Sequence, residues 1–349
     1  YTVNSFFSYA LRGLGKTKIF SGTGIISTGI VITCNLIFLL VLKLGIVGYL
    51  LSFIIAFTIT GIIQFHFGGF VQYILPFSKI DKTNVKRMLK YAIPLIPNSI
   101  SWWISNSSDK VILSAICGVA ANGVYSVAYK IPSLITVLSS IFSNAWQISA
   151  VDGFGTEENI IYFSDIYYKY STCCMYMVSL IITFNRLISL FLFSNEFYVA
   201  WIYVPILVYA VSFQIMSGFL GTIYTTAKKT SVVFISTVIA AFTNIVLNIC
   251  LIPIFGGIGA AVATCVSYIL IWGIRVIDSR RIMVLSVNWK REILINFLLL
   301  IQVIVGCIDR TGFAIISACI MIAIFYIKRD FLKDFIALVK VIFVRCMRR

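Results

Sequence analysis

The sequence predicts an all-α, polytopic integral membrane protein, a bundle of about ten transmembrane helices. Three observations carry this. The chain is 60% apolar and only 11% charged. Its apolar residues fall in long unbroken runs, where a soluble domain would show amphipathic stripes. Its basic residues gather in every second loop, as the positive-inside rule requires of a multi-pass chain.

About 20 apolar residues cross a hydrocarbon core of roughly 30 Å, and ten stretches qualify. The first two run from Ile19 to Leu42 and from Ile46 to Gly68, separated by Lys43 and Gly45. The third, Ile93 to Cys117, opens on Pro94 and Pro97 and ends before Gly118. Prolines are tolerated at such a start, and here they suit a bend beside a cavity. The fourth, Gly123 to Ala150, and the fifth, Tyr170 to Phe193, flank a polar acidic loop. Ile202 to Tyr224, Ser231 to Ile254 and Gly257 to Ile277 follow with short connections. Ile293 to Ile308 and Thr311 to Ile327 make a last hairpin. Beyond it, Phe331, Leu332, Phe335, Ile336, Leu338, Val339, Ile342 and Phe343 alternate with Lys333, Asp334, Lys340 and Arg345. That pattern suits a helix lying on the inner leaflet better than an eleventh span.

Lysine and arginine set the expected orientation. One side holds Arg12, Lys16 and Lys18; the loop from Lys79 to Lys90; Lys169; Lys228 and Lys229; Arg275, Arg280, Arg281, Lys290 and Arg291; and the tail. These make 23 of the 28 basic residues, against Lys43 and Arg310 opposite. The richer side is expected to be cytoplasmic, with both termini there. The net charge of +16 is thereby topology and attraction to anionic lipid, and nucleic acid is excluded as a partner. The chain opens on Tyr1 without a signal peptide, and a piece lacking its own N-terminal helices is expected.

Nine cysteines lie in or beside spans without CxxC pairing or a nearby histidine, so neither a metal site nor a disulfide framework is expected. His66, the sole histidine, reads as an interfacial residue. Gly22-Thr23-Gly24 lies inside a span and lacks the lysine of a phosphate loop, so neither ATP nor another cofactor is expected.

An internal repeat is visible. Lys18, Gly45 and Gly48 recur as Lys229, Gly256 and Gly259 at a constant offset of 211. Six spans separate the copies, which preserves orientation and implies a parallel repeat. The expected division is residues 1–69, the last part of an N-terminal lobe; 70–92, a basic cytoplasmic linker; 93–277, a six-helix C-terminal lobe; 278–327, an extra hairpin; and 328–349, the interfacial tail. The two pseudo-symmetric lobes would surround a central cavity, the first lobe being incomplete.

Charges inside spans are the candidate functional residues. An ionised side chain at the bilayer centre costs roughly 2.5 to 3.5 kcal/mol on insertion scales, so it needs a partner, water, or both. Asp109, Lys130 and Arg186 lie eight, seven and seven residues inward from their helix ends, a depth of about 10 to 12 Å. Asp109 and Lys130 sit on consecutive antiparallel spans, where an ion pair is available, leaving Lys110 and Arg186 as surplus positive charge. Either the pair pins two helices while Arg186 snorkels outward, or the four form a cationic layer lining the cavity. Gln147 and Gln214 offer hydrogen bonds to a polar substrate, or simply glue helices together. Trp102 and Trp103 offer rings for stacking, or belong to the interfacial belt.

Ser108-Asp109-Lys110-Val111-Ile112-Leu113, Gly123-Val124-Tyr125-Ser126-Val127-Ala128-Tyr129-Lys130, and Asn248 to Pro253 running into Gly256-Gly257-Ile258-Gly259-Ala260-Ala261-Val262-Ala263-Thr264 occur in a telling order. In them the chain resembles the Wzx-type oligosaccharide flippases, of the superfamily that holds the multidrug and toxin extrusion transporters and the lipid II flippase. The resemblance implies twelve or fourteen spans, so about four N-terminal helices would be missing here. It implies translocation of an undecaprenyl-pyrophosphate-linked oligosaccharide to the outer membrane face for O-antigen, capsule or related polysaccharide. The expected setting is the bacterial inner membrane, with alternating access in place of ATP hydrolysis. Implied partners are membrane lipids, H+ or Na+ as coupling ion, and the polysaccharide polymerase machinery. The rivals are a cation-coupled drug or metabolite antiporter, which would favour an acidic pocket, and a polymerase-type membrane enzyme. The short outer loops, with Glu196 and Asp309 as their carboxylates, argue against an enzyme.

Overall fold

The structure is a computed structural model that describes residues 2–73, 81–151, 157–308 and 311–331. Among these every element is helical and no strand occurs. In order, the helices are α1 (Thr2–Gly13), α2 (Thr17–Asn35, continued by a π-helical turn Leu36–Val41), α3 (Gly45–Phe67) and α4 (Lys82–Ala92). Then come α5 (Leu95–Cys117), α6 (Val119–Ala128), α7 (Lys130–Ser149), α8 (Glu157–Thr183) and α9 (Asn185–Leu192). The last are α10 (Val204–Thr226), α11 (Thr230–Phe255), α12 (Gly257–Ser279), α13 (Trp289–Gly306) and α14 (Thr311–Ile327).

Helix occupies all ten expected spans. Among the described residues, five helices are long and apolar enough to cross a membrane, and two bent pairs taken as single spans raise this to seven. The first pair, α6 and α7, bends by 44° at Tyr129, and the second, α8 and α9, by 73° at Phe184. Pro132 explains the first bend, because it has no N–H for the carbonyl four residues back and so starts a helix better than it continues one. α5 and α13 are as long but fall outside the set. Asn, Ser, Asp and Lys thin the apolar content of α5, and α13 carries Lys290, Arg291 and Glu292 in its first turn. The tail helix expected beyond Phe331 lies outside the described residues, as do Asp309 and Arg310.

The chain forms two compact units, residues 1–85 and 86–349. In the first, α1, which the sequence pattern leaves as a polar lead-in, is an amphipathic helix lying on α3. Asn4 donates to Thr60 Oγ1 (2.8 Å), and Gln64 donates to Ser8 and Thr23 (3.0 Å each). In the second unit α10 is central and nearly buried throughout, as a helix apolar on every face must be. It packs on α7, α8, α12 and α13, while α5, α11 and α12 pack on one another.

The glycine repeat has a structural counterpart. Gly45 and Gly256 take left-handed φ values of 55° and 56°, each turning the chain back into the next helix. Three residues later Gly48 and Gly259 touch the preceding helix. A Cβ at Gly48 would lie 2.8 Å from Phe38 Cβ, and one at Gly259 would collide with the Leu251 carbonyl oxygen.

Candidate functional site

Asp109 is fully buried on α5. Its Oδ2 accepts from the Tyr125 hydroxyl (2.9 Å) and its Oδ1 from the Lys110 backbone N–H (2.8 Å). The expected ion pair with Lys130 does not form: Lys130 is exposed at the first position of α7 and makes no salt bridge among the described residues. The reason is helical phase. Tyr125 and Tyr129 are one turn apart and face Asp109's side, whereas Lys130 is rotated about 100° further.

The cationic layer is not assembled either. Lys110 extends its ammonium over the Tyr129 ring, 4.9 Å from the centroid. Arg186 follows the 73° bend and points elsewhere, its Nη2 donating to the Ile308 carbonyl (2.8 Å) with the guanidinium over Trp201 (4.8 Å). It ties α9 to the end of α13. Trp103 is 68% exposed, turned away from its neighbour Trp102.

What surrounds Asp109 is a cluster of neutral oxygen groups, in which Ser108, Tyr125, Asn248 and Thr264 of the quoted motifs meet Asn244. Ser108 donates to Asn244 Oδ1 (2.7 Å), which also accepts from Asn248 Nδ2 (3.0 Å), and Asn244 Nδ2 donates to Thr264 Oγ1 (3.4 Å). Thr264 in turn lies beside the Tyr125 hydroxyl that holds Asp109. The Tyr129 hydroxyl lies beside the Asp109 carboxylate, while Asn248 Oδ1 is buried without a hydrogen-bond partner. Buried polar atoms are seldom left so. Helices α5, α6, α11 and α12 therefore converge on one carboxylate, two amides and hydroxyls, with the Asn248 amide oxygen unsatisfied. No group of three His, Cys, Asp or Glu side chains comes together among the described residues. Oxygen donors of this kind suit a hard cation. Asn244 and Asn248, four residues apart in an apolar run, were the available signal.

Next to this cluster is a cavity of about 540 Å³ between α5, α7 and α10. Of the expected residues it takes Trp102, Gln147 and Gln214 into its wall, and leaves out Asp109, Lys110, Lys130, Arg186 and Trp103. Hydroxyls and amides make up most of the rest: Thr136, Ser139, Ser140, Ser143 and Asn144 on α7, Asn98 and Asn106 on α5, Thr222 and Thr225 on α10. Asn106 Oδ1 accepts from Tyr268 (2.6 Å) and from Gln214 (3.4 Å), and the Trp102 ring lies 6.0 Å from that of Tyr268. Asn98 Oδ1 is buried and unpartnered.

The wall's one cation is Arg275, expected in a loop and found buried in α12. Its guanidinium donates to Ser236 Oγ (3.1 Å), the Ser217 carbonyl (2.8 Å), Thr237 Oγ1 (2.9 Å) and the Val233 carbonyl (3.3 Å). No carboxylate pairs with it among the described residues. Gly221 makes room for it, since a Cβ there would stand 3.1 Å from Nη1. Arg275 lies seven residues after Tyr268, on the face of α12 that packs inward, which is the spacing that separates it from loop arginines.

Residues 1–146 match the family model described as polysaccharide biosynthesis protein. No curated protein sequence matches the chain. Among solved structures, an outward-facing multidrug resistance MATE family transporter of the MOP superfamily aligns with a TM-score of 0.68 at 14% identity, over 80% of this chain and 65% of that one. A MOP superfamily transporter from Pyrococcus furiosus aligns with a TM-score of 0.67 at 15% identity, over 80% and 66%. The lipid II flippase MurJ in an inward closed conformation aligns with a TM-score of 0.58 at 17% identity, over 90% and 67%. At these identities the likeness is one of fold, and the chain spans about two thirds of each neighbour's length. The chain thus has the all-α fold of the MOP superfamily and, over residues 1–146, the sequence pattern of polysaccharide biosynthesis proteins, in keeping with the Wzx-type flippases it resembles.

Proposed function

We propose that the chain belongs to a flippase that moves a polyprenyl-pyrophosphate-linked oligosaccharide across a bacterial inner membrane by alternating access. The observation that carries this is the chemistry of the cavity wall: amides, hydroxyls, the Trp102 ring and the Arg275 guanidinium, with no carboxylate among the lining residues. Amides and hydroxyls match sugar hydroxyls in both donor and acceptor capacity. Arg275, buried without a counter-anion, gives the cavity a positive sign, which favours a pyrophosphate or acidic sugar and disfavours a cationic drug. The positive sign expected from Lys110, Lys130 and Arg186 is thus supplied by a different residue. The Asp109 cluster, one turn along α5 from the cavity residue Asn106, serves as the site of the coupling ion, H+ or Na+. The division into lobes, linker, hairpin and tail, with cytoplasmic termini, belongs to the same reading.

The experiment uses the full-length protein returned to a strain from which its gene is deleted. Deletion should abolish surface polysaccharide and accumulate lipid-linked oligosaccharide on the cytoplasmic side. Leu at both Asn106 and Gln214, at unchanged abundance, should reproduce that defect. Unchanged surface glycan together with lost efflux of a cationic dye would replace this reading with drug antiport.

A further inference from the structure

Helix α4 stands at the boundary of the two units with all of its residues exposed. Its sequence, Lys-Thr-Asn-Val-Lys-Arg-Met-Leu-Lys-Tyr-Ala, is two-faced. Val85, Met88, Leu89 and Ala92 follow i, i+3, i+4, i+7 spacing and form one apolar stripe. Lys82, Lys86, Arg87 and Lys90 occupy the adjoining face, and no acidic residue lies within the helix. Met88 is 71% and Leu89 51% exposed, so the stripe is not spent on packing.

Among the described residues, hydrogen bonds hold the helix at its two ends. Asp81 Oδ1 accepts from the Thr83 N–H (2.8 Å) and caps the start, while Thr230, the first residue of α11, donates to the Tyr91 carbonyl (3.1 Å). Two residues later Pro94 begins α5, the helix that carries Asn98, Trp102, Asn106 and Asp109.

We propose that α4 is a docking surface for an anionic lipid leaflet, with Val85, Met88, Leu89 and Ala92 buried at the acyl boundary and Lys82, Lys86, Arg87 and Lys90 on headgroup phosphates. Charge complementarity selects this occupant. A short helix with four cations beside an apolar stripe, and no carboxylate to neutralise them, lies in an interface plane and is attracted to negative headgroups. A protein groove lined with acidic residues would satisfy the cations, but a lipid surface satisfies the stripe and the cations together. Because α4 is tied to the start of α11 and leads into α5, its seat on the leaflet fixes the depth at which both helices enter the membrane. The proposal goes beyond the flippase reading and does not depend on what the cavity carries.

The test uses the full chain, its nine native cysteines replaced by alanine, with a nitroxide at Met88→Cys, reconstituted into vesicles of phosphatidylcholine or phosphatidylglycerol. Collision with oxygen reports hydrocarbon, and collision with a nickel chelate reports water. In phosphatidylglycerol the label should collide with oxygen and be shielded from nickel. In phosphatidylcholine, or with Lys82, Lys86, Arg87 and Lys90 all changed to Gln, it should move toward water. Each charge removed should weaken the seated state about fivefold. Should the fourfold variant fail to fold, raising salt to about 1 M on the unaltered charges replaces it, since screening then reaches within roughly 3 Å. Shielding that is equal in both lipids and indifferent to charge and salt would mean that protein covers the stripe. A label facing water in both lipids would mean that α4 does not dock. Either result overturns the proposal.

Discussion

The contacts of Asp109 decide between two accounts of how a buried carboxylate is kept in a membrane helix. If Tyr125 is its partner, Tyr125→Phe removes one hydroxyl 2.9 Å from Oδ2 and leaves the ring in place against Tyr129 and Tyr203. A hydrogen bond to a charged group contributes about 1.5 to 3 kcal/mol, and to a neutral one about 1 kcal/mol. The single change should therefore destabilise by about 1 to 3 kcal/mol. Asp109→Ala, which removes the acceptor, and Tyr125→Phe should be non-additive, with a coupling of at least about 1 kcal/mol in a double-mutant cycle. Asp109→Asn and Lys130→Ala should instead add within about 0.5 kcal/mol, because Lys130 is exposed and unpaired with it. Unfolding of purified full-length protein in mixed micelles, followed by tryptophan fluorescence, supplies the four free energies of each cycle. Coupling between Asp109 and Lys130 that exceeds the coupling between Asp109 and Tyr125 would refute this geometry and restore the ion pair.

Further outcomes follow from other parts of the bundle. Gly259→Ala drives a Cβ into the Leu251 carbonyl and should cost about 1 to 3 kcal/mol, whereas Gly218→Ala, with nothing within 4 Å, should be near neutral in the same unfolding assay. Lys328 and Glu292 form a buried ion pair beneath the Tyr168 ring, so Lys328→Met alone should cost about 3 to 5 kcal/mol, and adding Glu292→Gln should recover much of it. Burial lowers the Lys328 ammonium from its ordinary value of 10.5, the opposing pull of Glu292 being smaller. The unfolded chain then holds that proton to higher pH than the native one, so wild-type stability relative to Lys328→Met should rise with pH in the window just below 10.5. Arg275→Lys should not restore polysaccharide export at normal abundance, because a single ammonium cannot reach Ser236, Ser217 and Thr237 together as the guanidinium fork does.

The spans were legible because an apolar run of membrane length leaves few alternatives, and the bend at Tyr129 could be read from Pro132. Amphipathic helices were not. α1, and the first half of α8 from Glu157 to Lys169, are half polar, so they blend into loops until the surface that they lie on is known. The candidate site divides in the same way. Trp102, Gln147 and Gln214 reach the cavity, as residues that are costly to bury among lipid tend to do. Asp109, Lys130 and Arg186 share a depth when counted along the chain, but depth is an axial coordinate. Which face a side chain takes depends on helix rotation and on the bends at Tyr129 and Phe184, and those come from packing between distant segments.

A buried carboxylate needs a partner, and here that partner is not the cation that the available ion pair with Lys130 would have supplied. Tyr125 and the Lys110 N–H satisfy Asp109 with neutral donors, so its negative charge, where present, is solvated without being cancelled. A lysine at that position would occupy the site permanently. On the proposed flippase reading, a tyrosine leaves the carboxylate open to a coupling ion, with the oxygens of Asn244, Asn248 and Thr264 close by. Exchange of that kind is what a coupled transporter requires of a charge held inside a membrane, and a fixed ion pair would prevent it.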